Sequence, residues 1–575
     1  MDNLQFNLVT DPWIKVITKA GDTVETVSIL TLFTHVGAYR RLAGEMRAQD
    51  LAILRLLLAI VQTVYSRYDE ADQPYEWLQV DAETMQPLAV AQDDYDEDDL
   101  MATWQALKDN GEFTDRIVQY LRRYQDRFDF FGPQPFYQVT AAQYDQLVPA
   151  DKQISMGKGT VDVKQIDRRI SESGNSRAVF AAKTEAYKQV LALDELVRWL
   201  ITYHQFTGVT DKTKIKTAEK FSVSMGWTYR LNPVFISGRD LFETLMLNLV
   251  LVPAETTAYH IQRPQWEFPD QVAYVDWIKK QLLPDNVAAL YTMWSRILHI
   301  EWSDAGTPMI FSGGLPGVDA TNAFVEPMTV WKWADKDKPP VFKPARKSVA
   351  SLNKAMWRNF GQYVAVQGEQ TDQKVHEPGV VSWLHKLVNE DRLTAQNAVH
   401  LTGITLISDG NATSQAPVAE VADEMTIQAA VLFDPDGGAD YWPARIERAI
   451  DRTQQVGTDY YHFVKEVATI RGIDGTEFAN RQSARFYAQL NAPFKQWLAG
   501  LSNQDDRDEK LALWKAELRR VVNAALAEVM QQTSSRDIRG ITVGQDQGKA
   551  RYTNIVLAER RVRASVKRHL AESGR

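Results

Sequence analysis

Cysteine is absent from all 575 residues. Without thiols the chain can form no disulfide, cysteine-ligated zinc knuckle, iron–sulfur cluster or thiolate nucleophile. An excess of positive charge is also missing: 65 Lys and Arg stand against 74 Asp and Glu, for a net charge of −9. Long apolar runs are scarce. The most apolar stretch, Leu51 to Val64, carries Arg55 and falls short of the ~20 residues that cross a bilayer, so a core helix is expected there. The first residues have no basic segment leading into an apolar one. No signal peptide and no membrane contact are therefore expected, and the chain reads as cytoplasmic.

Catalytic signatures are scarce too. Gly157-Lys158-Gly159-Thr160 has Lys152 where a phosphate-cradling loop requires its first glycine. There is no H-E-x-x-H, no G-x-S-x-G and no dinucleotide fingerprint. The nine histidines are scattered, and His376 and His385 could share a metal only if the fold brought them together. One pattern does have a chemical reading. Asp151 followed by Asp162-Val163-Lys164 is compatible with a metal-dependent nuclease, in which two carboxylates hold Mg²⁺ and the lysine steadies the attacking water. It lies in a basic loop rather than on the hairpin such a site needs. The expectation is a non-enzymatic protein with no cofactor and no metal.

What the chain does contain is size and segregated charge. A length of 575 residues exceeds one hydrophobic core and implies at least two domains. Residues 93–99 are an acidic run, whereas 152–188 hold eight Lys/Arg against four Asp/Glu. Residues 332–358 and 549–575 each hold eight against two. Nucleic acid needs a local basic patch rather than a basic protein. Such runs are also what solvated faces look like.

Periodicity divides the chain into a mixed α/β region, 1–423, and a helical region, 424–575. Phe6 to Val16 reads as a strand cut by a turn, and Val24 to Ile29 as a second strand. Phe128 to Gln138 reads as an aromatic turn, and 139–188 as a long basic loop. Leu193, Leu196, Val197, Leu200 and Tyr203 recur at helical spacing. A polar loop over 207–233 leads to a strand at Val234–Ile236 and a helix capped by Asp240, with Glu243 three residues on as its capping box. Residues 300–420 look rich in strands and turns. Helical stretches near 443–470, 477–500, 506–532 and 550–572 suit a four-helix bundle. Leu511, Trp514, Leu518, Val521, Val522, Ala525 and Val529 form one apolar stripe. The fold class is α+β, with the mixed domain first and the four-helix bundle last.

Several of these segments follow a known order. The opening Asn7-Leu8 … Asp11-Pro12-Trp13-Ile14 … Val16, the Phe128–Gln138 block and the run Gly238 to Leu249 together resemble the CasA family. That family is the large subunit of Cascade, the type I-E CRISPR surveillance complex of antiviral defence. The resemblance implies a non-catalytic DNA-binding and RNA-binding subunit. Its partners would be the other Cascade subunits with CRISPR RNA, target double-stranded DNA and a helicase–nuclease. It would recognise the protospacer-adjacent motif (PAM), promote R-loop formation and help recruit the nuclease.

Three loops carry the implied contacts. Phe180, Ala181, Ala182 and Lys183 match a loop at the guide end and PAM, although the two alanines depart from the family's polar residues. Lys220, Phe221, Ser222, Val223, Ser224 and Gly226 match a glycine-rich loop in the minor groove over the PAM. There, absent side chains would let the backbone approach the groove floor, yet only Gly226 is glycine. Ser414, Gln415 and Ala416 match a tip that wedges into the duplex. The family's PAM-contacting lysine has no fixed match; Asn322, Lys343 and Lys347 lie in the corresponding region. Two other readings stand beside this one: the nuclease of Asp151, Asp162 and Lys164, and a purely structural RNA-binding subunit.

Overall fold

The computed structural model describes residues 4–157, 160–169, 183, 184, 187, 189–208, 213–254, 256–302, 307–352, 354–364, 374–408, 417–435, 440–543 and 550–571. It is α+β, with small sheets among helices. The chain forms two compact units. One comprises 1–352, 376–392 and 401–423; the other comprises 353–375, 393–400 and 424–575.

The first unit is built round the helix Arg47–Tyr65, 19 residues in which every side chain after Arg47 is buried. By length and composition it alone among the described residues could cross a membrane, but its apolar window lies wholly inside the protein. It has no local side-chain cap. Instead Glu420, 372 residues away, accepts from the Ala48 amide at 2.7 Å. That supplies an acceptor, with negative charge, to the first turn. Asp50, in the same turn, is pushed up to about 6, chiefly by burial.

Arg55 sits at the middle of this helix, fully buried. Its guanidinium donates to Glu326 Oε1 at 2.6 Å and lies 4.1 Å from the Tyr291 ring centroid. A second buried pair follows the helix: Arg67 donates to both Glu267 oxygens at 2.8 Å. Tyr120 Oη donates to the same carboxylate at 2.6 Å. Buried charges persist only when paired and hydrogen-bonded in this way.

The opening strands are shorter than expected: residues 8–11 turn and leave Asn7 only a bridge to Asp129, and the second strand stops at Val27 before the helix Ile29–Thr34. Ile14–Thr18 pairs antiparallel with Val24–Val27 on one side and Tyr39–Leu42 on the other. The helix Leu193–Phe206 buries Leu196, Val197, Leu200 and Tyr203. Asp240 Oδ1 caps the helix Leu241–Asn248, accepting from the Glu243 amide at 2.8 Å. The reciprocal half differs from the expectation, since Glu243 Oε2 accepts from the amide of Arg239 rather than of Asp240. The acidic run at 93–99 becomes a helix start: Asp96 caps Glu97–Asn110, and Glu97, Asp98 and Asp99 occupy its first turn. Negative charge there complements the helix dipole. The stretch 300–420 is less β-rich than its turns suggested, because Gly379–Asn389 is a helix with Trp383, Leu384 and Leu387 buried.

The second unit contains four long helices, Trp442–Arg471, Gly475–Ala499, Arg507–Gln531 and Ile555–Ala571. The first three match the expected spans to within two residues. The fourth starts later, because Arg551–Thr553 pairs as a strand with Ile541–Val543 and Asn554 Oδ1 then accepts from the Leu557 amide at 2.9 Å. Of the anticipated stripe, Leu511 is only half-buried, and Leu526 joins it in the interior. Trp514 anchors the helices, its ring 4.9 Å from Phe494 and its indole N–H donating to Thr453 Oγ1 at 3.0 Å.

Candidate nucleic-acid interface

The segment Lys220–Gly226 crosses one wall of an open cleft of about 1650 Å³ in the first unit. Its geometry is set by backbone pairing to the segment after the strand Pro308–Gly314. Val223 bridges Pro316, Ser224 N–H donates to Leu315 O at 2.7 Å, and Gly317 N–H donates to Ser222 O at 3.2 Å. From behind, fully buried Arg296 donates to Ser224 O at 2.6 Å and to Gly208 O at 2.9 Å. A guanidinium's fixed fork suits such a cradle of carbonyls. Nothing in the local sequence marked Arg296, whose partners lie some seventy to ninety residues away.

This anchoring sorts the residues anticipated for the minor groove. Lys220, Ser222 and Met225 are exposed, and Phe221 and Val223 are half-buried. Ser224 is buried, and its hydroxyl donates to Met225 O at 3.0 Å. Gly226 is buried as well, its N–H donating to Thr207 O at 2.9 Å. A Cβ on it would lie 2.2 Å from Gln205 O and 2.7 Å from His204 O. The requirement for glycine at 226 therefore comes from the end of the protein's own helix, rather than from room left for a ligand.

The facing wall is the hairpin Trp331–Ala334 and Val341–Pro344. Its cross-strand partners Trp333 and Phe342 have ring centroids 4.9 Å apart. At its base Phe324 packs against Trp331 and Phe342 and stacks on His376 at 3.7 Å. Leu231 bridges Arg346, and Lys347 N–H donates to Arg230 O at 2.6 Å, so the two walls are fastened to each other beyond the loop.

The cleft is predominantly cationic. Lys220, Lys332, Lys336, Lys338, Lys343 and Arg346 line it, against Asp319, Asp335 and Asp337. Lys343 pairs with Asp337, whereas Lys220, Lys332, Lys336 and Lys338 make no ion pair among the described residues. The basic run at 332–358 thus turns into one wall of a groove. Of the other residues weighed there, Asn322 is a backbone clamp, its Oδ1 accepting from Phe342 N–H at 2.8 Å.

The remaining candidates fall elsewhere. Phe180, Ala181 and Ala182, and likewise Ser414, Gln415 and Ala416, lie outside the described residues. Lys183 is described: its ammonium donates to Val190 O at 2.8 Å and lies 3.4 Å from Glu195. The approach to the 409–416 connection is fixed. Ser408 Oγ lies 3.0 Å from Tyr229 Oη and accepts from Arg230 Nε and a terminal nitrogen at 3.3 Å. Ser408, six positions before Ser414, is thereby tied to the residues just after the 220–226 loop.

Among the described residues the nuclease pattern gathers no carboxylate cluster. Asp162 is the N-cap of the short helix Val163–Ile166, its amide donating to Gln165 Oε1 at 3.0 Å, and exposed Asp151 lies 3.4 Å from Lys152. Among the described residues no three His, Asp or Glu side chains converge on a metal position, His376 and His385 included.

The sequence model for CRISPR-associated protein Cse1 matches residues 7–525. The chain belongs to the Cse1 family. This is the CasA family, the large subunit of type I-E Cascade, that the motif order implied. Cse1 of Thermobifida fusca has the same fold, with a TM-score of 0.73 at 22% identity over 98% of each chain. Cse1 from Acidimicrobium ferrooxidans gives 0.70 at 20% identity, over 99% of this chain and 98% of that one. A chain of a structure described as a CRISPR RNA-guided surveillance complex gives 0.66 at 14% identity, over 98% of this chain and all of its own. No curated protein matches the chain.

Proposed function

We propose that this Cse1-family protein is the subunit of a CRISPR RNA-guided surveillance complex that reads the PAM in duplex DNA and opens the adjoining base pairs. The observation that carries the reading is the basic cleft, with exposed Lys220 and Ser222 on one wall and the lysine-rich 331–344 hairpin on the other. The hairpin's lysines neutralise backbone phosphates, a sequence-independent contact. Lys220 and Ser222 contact the minor groove, which offers mainly an A·T-versus-G·C distinction, so a tolerant motif is expected. Buried Ser224 and Gly226 hold this loop in shape rather than touch bases.

In this reading the protein is not an enzyme and needs no cofactor. PAM binding and opening are separate steps, with guide pairing reading the rest of the target. Gln415, with Ser414 and Ala416, acts in the second step as a wedge, and the 178–183 segment meets the guide end. The other Cascade subunits with their CRISPR RNA, duplex DNA and a helicase–nuclease are the partners, and the cytoplasm is the place. The test is a gel-shift of the assembled complex on duplexes with and without a PAM, at several salt concentrations. The complex should prefer PAM duplexes only when this subunit is present. Lys220→Ala should weaken binding and lower the salt slope by about 1. An unchanged slope and affinity would remove the loop from the interface.

A further inference from the structure

A second concentration of positive charge lies in the second unit. Arg445, Arg448 and Arg452 project from one face of the helix Trp442–Arg471 at spacings of three and four residues, and Lys515 comes from the helix Arg507–Gln531. Together they line a cavity of about 280 Å³ with Trp514 in its wall. Among the described residues the one acidic side chain lining it is Asp508, which pairs with Arg445. Asp440, outside the cavity, takes a second contact from Arg445 at 3.0 Å and one from Arg448 at 3.9 Å. Arg452 and Lys515 have no carboxylate within ion-pair distance among the described residues.

Like charges three and four residues apart on a helix repel and cost stability. Here they are also partly withdrawn from water. Burial and the neighbouring Arg452 hold Lys515 below its ordinary range. Burial, Arg445 and Arg452 do the same to Arg448. A solvated helix face would spread such charges outward, whereas these converge on a concavity. The guanidinium fork and the ammonium are the donors that oxyanions take.

We propose that this cavity is a phosphate-binding site that takes one or two phosphoryl groups, with Arg452 and Lys515 as their principal donors and Arg448 alongside. A cavity of this size suits a compact terminal phosphate or diphosphate. The phosphate could be free or carried by a nucleic-acid strand.

The test titrates the full-length protein with inorganic pyrophosphate at low salt, by calorimetry and thermal denaturation. Pyrophosphate should bind and raise the melting temperature. Arg452→Gln/Lys515→Gln should weaken binding at least tenfold, while Lys567→Gln, an exposed cation on another helix, should change it less than twofold. Without ligand, the double variant should be at least as thermostable as the parent because repulsion is relieved. That outcome separates a lost site from a lost fold. Competition by single-stranded DNA that disappears in the double variant would assign the phosphate to a strand. No competition would assign it to a free anion. Absence of pyrophosphate binding to the parent, or equal binding by the double variant, would overturn the site.

Discussion

Replacing Gly226 with alanine discriminates between two reasons for a glycine in the cleft loop. If the glycine serves a ligand, letting backbone approach a groove floor, Gly226→Ala leaves the free protein unchanged and harms only DNA binding. The structure argues for the other reason. The added carbon would sit 2.2 Å from Gln205 O and 2.4 Å from Gln205 C, and real contacts of this kind do not fall below 3.0 Å. The obstacle is backbone, so no rotamer change relieves it. That same carbonyl accepts from Thr228 N–H at 3.0 Å and Thr228 Oγ1 at 2.7 Å. Moving the loop away therefore loosens both bonds, as well as the Gly226 N–H bond to Thr207 O. Overpacking of this kind costs about 1–3 kcal/mol. Urea denaturation should show that loss in the first unit without any DNA present. The amides of residues 226 and 228 should exchange faster with solvent, as expected for a local opening. Weaker DNA binding should follow from the displaced loop. Unchanged stability together with unchanged exchange would refute the argument.

Arg55→Met should destabilise the first unit by about 3–5 kcal/mol in urea, because it strands Glu326 in the core. Adding Glu326→Leu should recover much of that loss, and failure to recover would mean that the pair acts mainly through the Tyr291 contact. Glu447 is pushed up to about 7 from an ordinary 4.5, first by burial and then by nearby Asp451. Its proton is held more tightly in the folded state, so it contributes most stability below about pH 4.5, and this is lost as pH rises through 7. Glu447→Gln should gain up to about 3 kcal/mol at pH 8 and nothing near pH 4; a pH-independent effect in thermal scans would contradict this. Gln415→Ala should slow R-loop formation on intact duplex but not on a target already unpaired beside the PAM, where there is no pair left to displace. Equal losses on both substrates would reject the wedge.

The sequence by itself determined what depends on local pattern. Apolar residues nearly all round Leu51 to Val61 required a buried helix, and the 3.6-residue period gave three of the four long helices of the second unit close to their ends. Asp240 announced its cap because capping is a contact over three residues. The order of short motifs implied the Cse1 family. Only the tertiary structure decided what depends on distant partners. Glu420 finds the start of the core helix across 372 residues, and Arg55 finds Glu326 across 271. No spacing rule encodes such pairs, since each carboxylate in the chain looks alike until the fold selects one. The candidate site divides the same way. Its basic run at 332–358 and its loop at 220–226 were legible as separate charges and motifs. Their meeting as two walls of one cleft was not, because Leu231 and Arg346 are brought together by the packing of the whole unit. Gly226 had a visible identity and a hidden cause: a missing side chain is plain in sequence, but the carbonyl that forbids one is set only when the helix ending at Phe206 packs beneath the loop.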